Sequence, residues 1–268
     1  MRPSLRAIGL SAAVSAAVVA IAAPAQAKGG SIGGSGSQYY LNDALSGAAN
    51  RVFVYGDPGD EVFYGDFDGN GTDTPLIRRG NTFHVRNSLT SGSADAVFSY
   101  GDPGDDVLVG DWDGDGTDTL AVRRGRTFYV KNSISTGNAD AVIDFGDPAD
   151  EVIIGDWNGD GADTLGVHRG YYYFLMPPMG STAGVQTFGY GDPGDDVLVG
   201  DWDGNGTDTL GVRRADTYYL KNSLTFGSAD TTFVYGDIDD GHVVGDWDGN
   251  GTDTIGVRRP INPGHDRD

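Results

Sequence analysis

The chain has 268 residues, no cysteine, 44 glycines and a formal net charge of −21. The length suffices for a buried core in one large or two ordinary domains, and the glycine content favours a turn-rich all-β protein over a helical one. So negative a chain repels phosphates, which argues against nucleic acid as a partner.

Residues 1–27 read as a secretory signal peptide. Arg2 and Arg6 form a positive start, residues 7–22 are apolar and uncharged, and Ala25-Gln26-Ala27 supplies a small-x-small cleavage site. The apolar run is short for a spanning helix. The expectation is a secreted, extracellular chain that starts at Lys28, carries a net charge of −23 and has no membrane span after cleavage. Without cysteine, no disulfide holds it together. Residues 28–37 form a Gly/Ser stretch that reads as a flexible linker.

One unit then recurs without a gap. Gly56-Asp57, Gly101-Asp102, Gly146-Asp147, Gly191-Asp192 and Gly236-Asp237 are each 45 residues apart. Each copy breaks into four β-type runs, expected in the second copy at 106–110, 119–124, 127–132 and 141–145. The Asp102-Pro103-Gly104-Asp105 turn that opens this copy suits type II. A period of 40–50 residues with four strands is the mark of a propeller blade. Both ends are half-copies, and they are complementary. Residues 38–55 align with the third and fourth strands, and the last copy stops at Arg259 after its second. Joining them closes a ring and hides the sheet edges. The expected fold is all-β, a five-bladed β-propeller over 38–259, followed by a C-terminal tail at 260–268.

Between the first and second strands of every copy lies D-x-[DN]-G-[DN]-G-x-D. The five versions are Asp66/Asp68/Asn70/Asp73, Asp111/Asp113/Asp115/Asp118, Asp156/Asn158/Asp160/Asp163, Asp201/Asp203/Asn205/Asp208 and Asp246/Asp248/Asn250/Asp253. Of the 39 acidic residues only Glu61 and Glu151 are glutamate, and 16 of the 37 aspartates sit in these loops. Oxygen side chains at positions 1, 3 and 5, with Gly at 6 for the sharp turn, wrap a hard cation such as calcium. The backbone carbonyl at position 7 (Thr72, Thr117, Ala162, Thr207, Thr252) is a further candidate ligand. The same spacing also makes a solvated Asx-turn, but five copies in register favour a cation. Up to five Ca²⁺ are expected. The loops are not EF-hands: position 12, where a bidentate Glu belongs, holds Ile77, Val122, Val167, Val212 or Val257.

This pattern resembles the FG-GAP, or VCBS-type, repeats of secreted bacterial proteins and the calcium-bearing blades of integrin α-chain propellers. The resemblance covers all five copies and implies calcium held by loop oxygens at a β-hairpin. The chain departs from the family in two respects. Position 9 is Thr (Thr74, Thr119, Thr164, Thr209, Thr254) with Asp at 8, and integrin-like propellers have seven blades where this chain has material for five.

Other recurrent residues read as structure. Trp112, Trp157, Trp202 and Trp247, with Phe67, occupy loop position 2 and suit packing better than a sugar platform. The arginines of the second strand (Arg78/Arg79, Arg123/Arg124, Arg213/Arg214, Arg258/Arg259, with His168/Arg169) suit pairing with nearby aspartates. The third copy breaks the pattern: Lys-Asn-Ser becomes Met176-Pro177-Pro178, followed by Met179 and preceded by Tyr171, Tyr172 and Tyr173. Those five tyrosines and methionines are the candidate partner-contact patch. No Cys/His cluster or phosphate loop is present. The resulting expectation is a monomeric, non-catalytic module that binds a glycan or an extracellular protein. An extracellular, glycosidase-like hydrolase is the alternative, on fold analogy alone.

Overall fold

The computed structural model describes residues 30–261; the expected signal segment, Lys28, Gly29 and residues 262–268 lie outside the described residues. Twenty strands and no helix make up the described part. No helix there is long and apolar enough to cross a membrane. The strands β1 (Gln38–Leu41) and β2 (Arg51–Val54) come first. Blade 1 follows as β3 (Glu61–Gly65), β4 (Thr74–Arg79), β5 (Thr82–Val85) and β6 (Ala96–Ser99). Blade 2 is β7 (Asp106–Gly110), β8 (Thr119–Arg124), β9 (Thr127–Lys131) and β10 (Ala141–Asp144). Blade 3 is β11 (Glu151–Gly155), β12 (Thr164–Arg169), β13 (Tyr172–Leu175) and β14 (Gln186–Gly189). Blade 4 is β15 (Asp196–Gly200), β16 (Thr209–Arg214), β17 (Thr217–Leu220) and β18 (Thr231–Val234). The last pair, β19 (Gly241–Gly245) and β20 (Thr254–Arg259), joins β1 and β2 in blade 5.

Every blade is a four-stranded antiparallel sheet, and blade 5 runs β19-β20-β1-β2. Its closing seam pairs Tyr39 with Arg258 and Tyr40 with Val257. The ring is therefore shut by the chain's two ends, as the half-copies predict. The first strands of neighbouring blades meet around the axis. In blade 2 the third and fourth strands each end one residue sooner than the sequence predicts.

Strand composition follows position in the blade. The second strand β8 has four successive buried residues, Thr119 to Val122, because sheets from both sides cover it. The outermost strand β10 alternates half-buried with exposed, the pattern of an edge with one wet face. Apolar side chains collect between blades. Leu108, Trp112, Phe128 and Val130 of blade 2 pack on Ile154 and Leu165 of blade 3, and four comparable clusters fill the other junctions. Each fully buried Leu or Phe contributes about 1.5–3 kcal/mol. The loop joining third and fourth strands sends one aliphatic residue into the junction with the preceding blade: Leu89, Ile134, Leu224 and Leu45 in blades 1, 2, 4 and 5.

Polar clamps lie across the same junctions. The tyrosine that ends each fourth strand donates to the third strand of the next blade: Tyr55 to the His84 carbonyl, Tyr100 to Tyr129, Tyr190 to Tyr219 and Tyr235 to Tyr40, at 2.8–3.1 Å. Phe145 holds this place in blade 2 and has no hydroxyl to give.

The Gly/Ser stretch is laid against the ring. Ile32 is buried, and its N–H donates to the Val62 carbonyl at 2.7 Å. Gly241 makes room for this strap, since a Cβ there would collide with the Gly33 carbonyl. The other four copies carry Glu61, Asp106, Glu151 and Asp196 at that position.

Candidate metal centres

The five Asp loops join the first strand of each blade to the second, so all emerge at one end of the disc. Position-1 Asp, position-6 Gly and position-8 Asp of every loop together line a single axial cavity of about 270 Å³, and no basic side chain lines it.

Each loop is organised by its own first aspartate. Asp111 Oδ1 accepts from the Gly114 and Asp115 N–H groups and Oδ2 from Gly116, at 2.8–3.2 Å. Asp66, Asp156, Asp201 and Asp246 likewise accept from the position-6 N–H, at 2.6–2.7 Å. Position 5 then holds position 7: Asn70, Asp115, Asp160, Asn205 and Asn250 accept from the N–H of Thr72, Thr117, Ala162, Thr207 and Thr252. The loop is thus curled by backbone donors turned toward carboxylates, and the left-handed glycines at position 6, such as Gly116 with φ +86°, permit the curl.

Positions 1, 3 and 5 come together. One carboxylate oxygen from each of Asp111, Asp113 and Asp115 lies within 4.8 Å of the others. The remaining loops have Asn at position 3 or 5 (Asn70, Asn158, Asn205, Asn250) and offer an amide oxygen or nitrogen there instead. Asp68, Asp203 and Asp248 are exposed at position 3. Crowding marks these carboxyls. Burial pushes the Asp111 carboxyl above its ordinary value, and burial followed by the neighbouring Asp66 charge does the same to Asp68. An oxygen-rich, half-built shell of this kind fits a hard cation.

Position 8 has a different placement. Asp118 donates its N–H to the Asp66 carbonyl at 2.8 Å, while its Oδ2 accepts from the Asp66 N–H at 2.8 Å. The same two-way clamp joins Asp163 to Asp111, Asp208 to Asp156, Asp253 to Asp201 and, across the chain's two ends, Asp73 to Asp246. The five form a closed ring around the axis, with each carboxylate committed to the preceding blade. The glycine that ends each first strand makes room: a Cβ on Gly65 would lie 2.6 Å from Asp118 Oδ2. Sequence reasoning missed this role, because a repeat shows which residue recurs and not which blade it touches.

The opposite end of the disc uses aspartate with arginine. Asp57 and Asp60 of the blade 1 turn both bind Arg79, and the equivalent pairs bind Arg124, Arg169, Arg214 and Arg259. The Arg79 guanidinium holds the Asp60 carboxyl below its ordinary value, as Arg124 does for Asp105. The other arginine of each pair reaches the next blade: Arg78 donates to the Asp102 and Asp105 carbonyls, and Arg258 to Asp60. His168 in blade 3 is too short for this and meets Glu151 at 2.6 Å instead. The turns are not uniform. Gly59, Gly104 and Gly194 have the positive φ of type II, while Ala149 and Asp239 do not.

Trp112, Trp157, Trp202, Trp247 and Phe67 are all buried, as packing requires. The expected contact patch of blade 3 does not form one surface. Tyr173 is a core residue stacked on Phe188 and His168. Tyr171 and Tyr172 are exposed at the end of β13 near the Arg–Asp turns, their ring centroids 4.3 Å apart, whereas Met176 and Met179 follow its other end. Phe226, 64% exposed, joins the tyrosines: a Cβ on Gly189 would lie 2.7 Å from the Phe226 ring and 3.0 Å from Tyr171. Ser91 and Thr136 occupy the Phe226 position in other blades, so departure from the repeat was the signal that points to it.

No protein-family model matches the chain, and no curated protein matches it. Among solved structures, it is similar to a crystal structure of BBS1N in complex with ARL6DN, soaked with lead, at 12% identity and a TM-score of 0.35. The match covers 75% of this chain and 62% of that one, so the chain spans less than two thirds of the chain it matches. The sheet order of the protein itself makes it a five-bladed β-propeller.

Proposed function

We propose that the protein is a secreted, non-catalytic binding module of the FG-GAP or VCBS type, with calcium held in its Asp loops. One observation carries the reading: five equivalent loops converge on one end of the disc around a cavity lined by aspartate and glycine, with no basic residue among them. In each loop, positions 1, 3 and 5, with the position-7 carbonyl, would hold the ion; position 8 would serve the blade seam. Calcium would supply positive charge beside an axial cavity that no basic side chain lines, and it needs no catalytic partner. The propeller then presents whatever departs from its repeat, and the departures gather on blade 3 and its junctions: Tyr171, Tyr172, Met176, Met179 and Phe226.

The test is a glycan array and an extracellular-protein array probed with and without calcium, alongside a panel of polysaccharide hydrolysis assays. Retention of a ligand without turnover supports the reading. Product release that survives purification would replace it with a hydrolase.

A further inference from the structure

Four blades plug their junction with the preceding blade by a Leu or Ile from the loop between third and fourth strands: Leu89, Ile134, Leu224 and Leu45. Alignment of the repeats puts Met179 in the same place in blade 3. Met179 does not plug its junction; it is 56% exposed. Beneath it, between blades 2 and 3, lies a cavity of about 230 Å³ with Trp112, Val130, Leu165 and Met176 on its apolar side and Asn132, Asp113 and Asp163 on its polar side. The Lys131–Asp140 ion pair that anchors the corresponding loop in blade 2 is replaced here by Met176 and Val185, and Pro177-Pro178 redirects the chain.

The unpartnered Trp112 Nε1–H and Asn132 Oδ1 do not mark this junction, since the equivalent Trp202 and Asn222 atoms are unpartnered where Leu45 fills the gap; what sets it apart is the apolar hollow itself.

We infer that this cavity is a docking site for a protein partner that inserts a leucine or isoleucine from an extended loop. The occupant is read from the molecule itself, since the other four junctions are filled by that side chain delivered from a loop. The inference rests on the binding-module reading; Trp112, Asp113 and Asp163 of the Asp loops form part of the cavity wall, but the inserted side chain needs no bound calcium. Met179, beside the opening, is a flexible thioether suited to close over the guest.

The probe is a blocked peptide of residues 131–140, which carries the blade 2 plug Ile134, added to the full chain labelled with ¹³C in its methionine methyl groups. Met1, Met176 and Met179 are the three methionines. Saturable shifts of the Met176 and Met179 signals, unchanged in excess chelator, are expected. One variant chain and one altered peptide locate the site. Replacing 176–185 by 131–140 restores the internal plug and should abolish binding by calorimetry while leaving the melting temperature unchanged or higher. A peptide with Ile134 replaced by Ser should not bind. The inference is overturned by shifts absent at millimolar peptide, by equal binding of the Ser peptide or of the plugged chain, or by N-acetylglucosamine shifting both methyls where the peptide does not.

Discussion

The two ends of the disc use the same residue in opposite ways. At the turn end, Asp102 and Asp105 are answered by Arg124 within 2.7 Å, and the pattern repeats in every blade. At the loop end, Asp111 is answered only by backbone N–H groups, and Asp113 and Asp115 crowd beside it. One end answers these carboxylates with guanidinium groups, and the other with backbone N–H groups. Aspartate serves both because its short carboxylate folds back onto a turn, whether the turn then faces a guanidinium or an ion.

The contrast can be broken first at the seam of the loop end. Asp118→Ala removes a carboxylate that accepts from the Asp66 N–H and leaves that donor unpaired, at a cost of about 2 kcal/mol in chemical unfolding. A change below a few tenths would mean that the ring of clamps does not hold the blades. The turn end should respond more weakly. Arg124→Ala removes a half-exposed guanidinium from its ion pairs with Asp102 and Asp105, worth about 1 kcal/mol or less.

The same turn sets an acid limit. The Asp60, Asp105 and Asp150 carboxyls are held below their ordinary value because each accepts hydrogen bonds from its arginine. A folded value below the unfolded one gives stability that is complete above about pH 4 and drains away as pH falls through the depressed values. Urea midpoints against pH should show that fall, and Arg124→Ala should make it shallower. An unchanged acid slope in the variant would detach the turn carboxylates from the limit.

Much of this architecture is legible in the sequence. The period of 45 residues and the matching half-copies specify blade count and closure, because a four-stranded unit with no partner at its ends leaves edges that only the other half can cover. The loops are legible as oxygen clusters because their chemistry is local. What crosses blades is not. Asp118 reads like a loop ligand until its partner, 52 residues earlier, is seen. The contact patch failed for a geometric reason: Tyr171 and Met176 flank a strand that rises about 3.3 Å per residue, which puts neighbours in sequence at opposite ends of the blade. Residues 30–37 read as a linker by composition, yet Ile32 finds a place beside Val62 because Gly241 leaves one.

The account's central claim is that the loop end is completed by cations, and thermal unfolding in millimolar calcium and in excess chelator tests it most directly. With extracellular calcium near ~1 mM and a Kd of ~0.1 mM, each occupied loop adds roughly 1.4 kcal/mol, and five add about 7 kcal/mol. Chelation should therefore lower the melting temperature sharply, and added calcium should restore it far better than magnesium, which demands octahedral geometry. Identical melting temperatures in chelator and in calcium would contradict the claim and leave the Asp loops as turns closed by their own backbone.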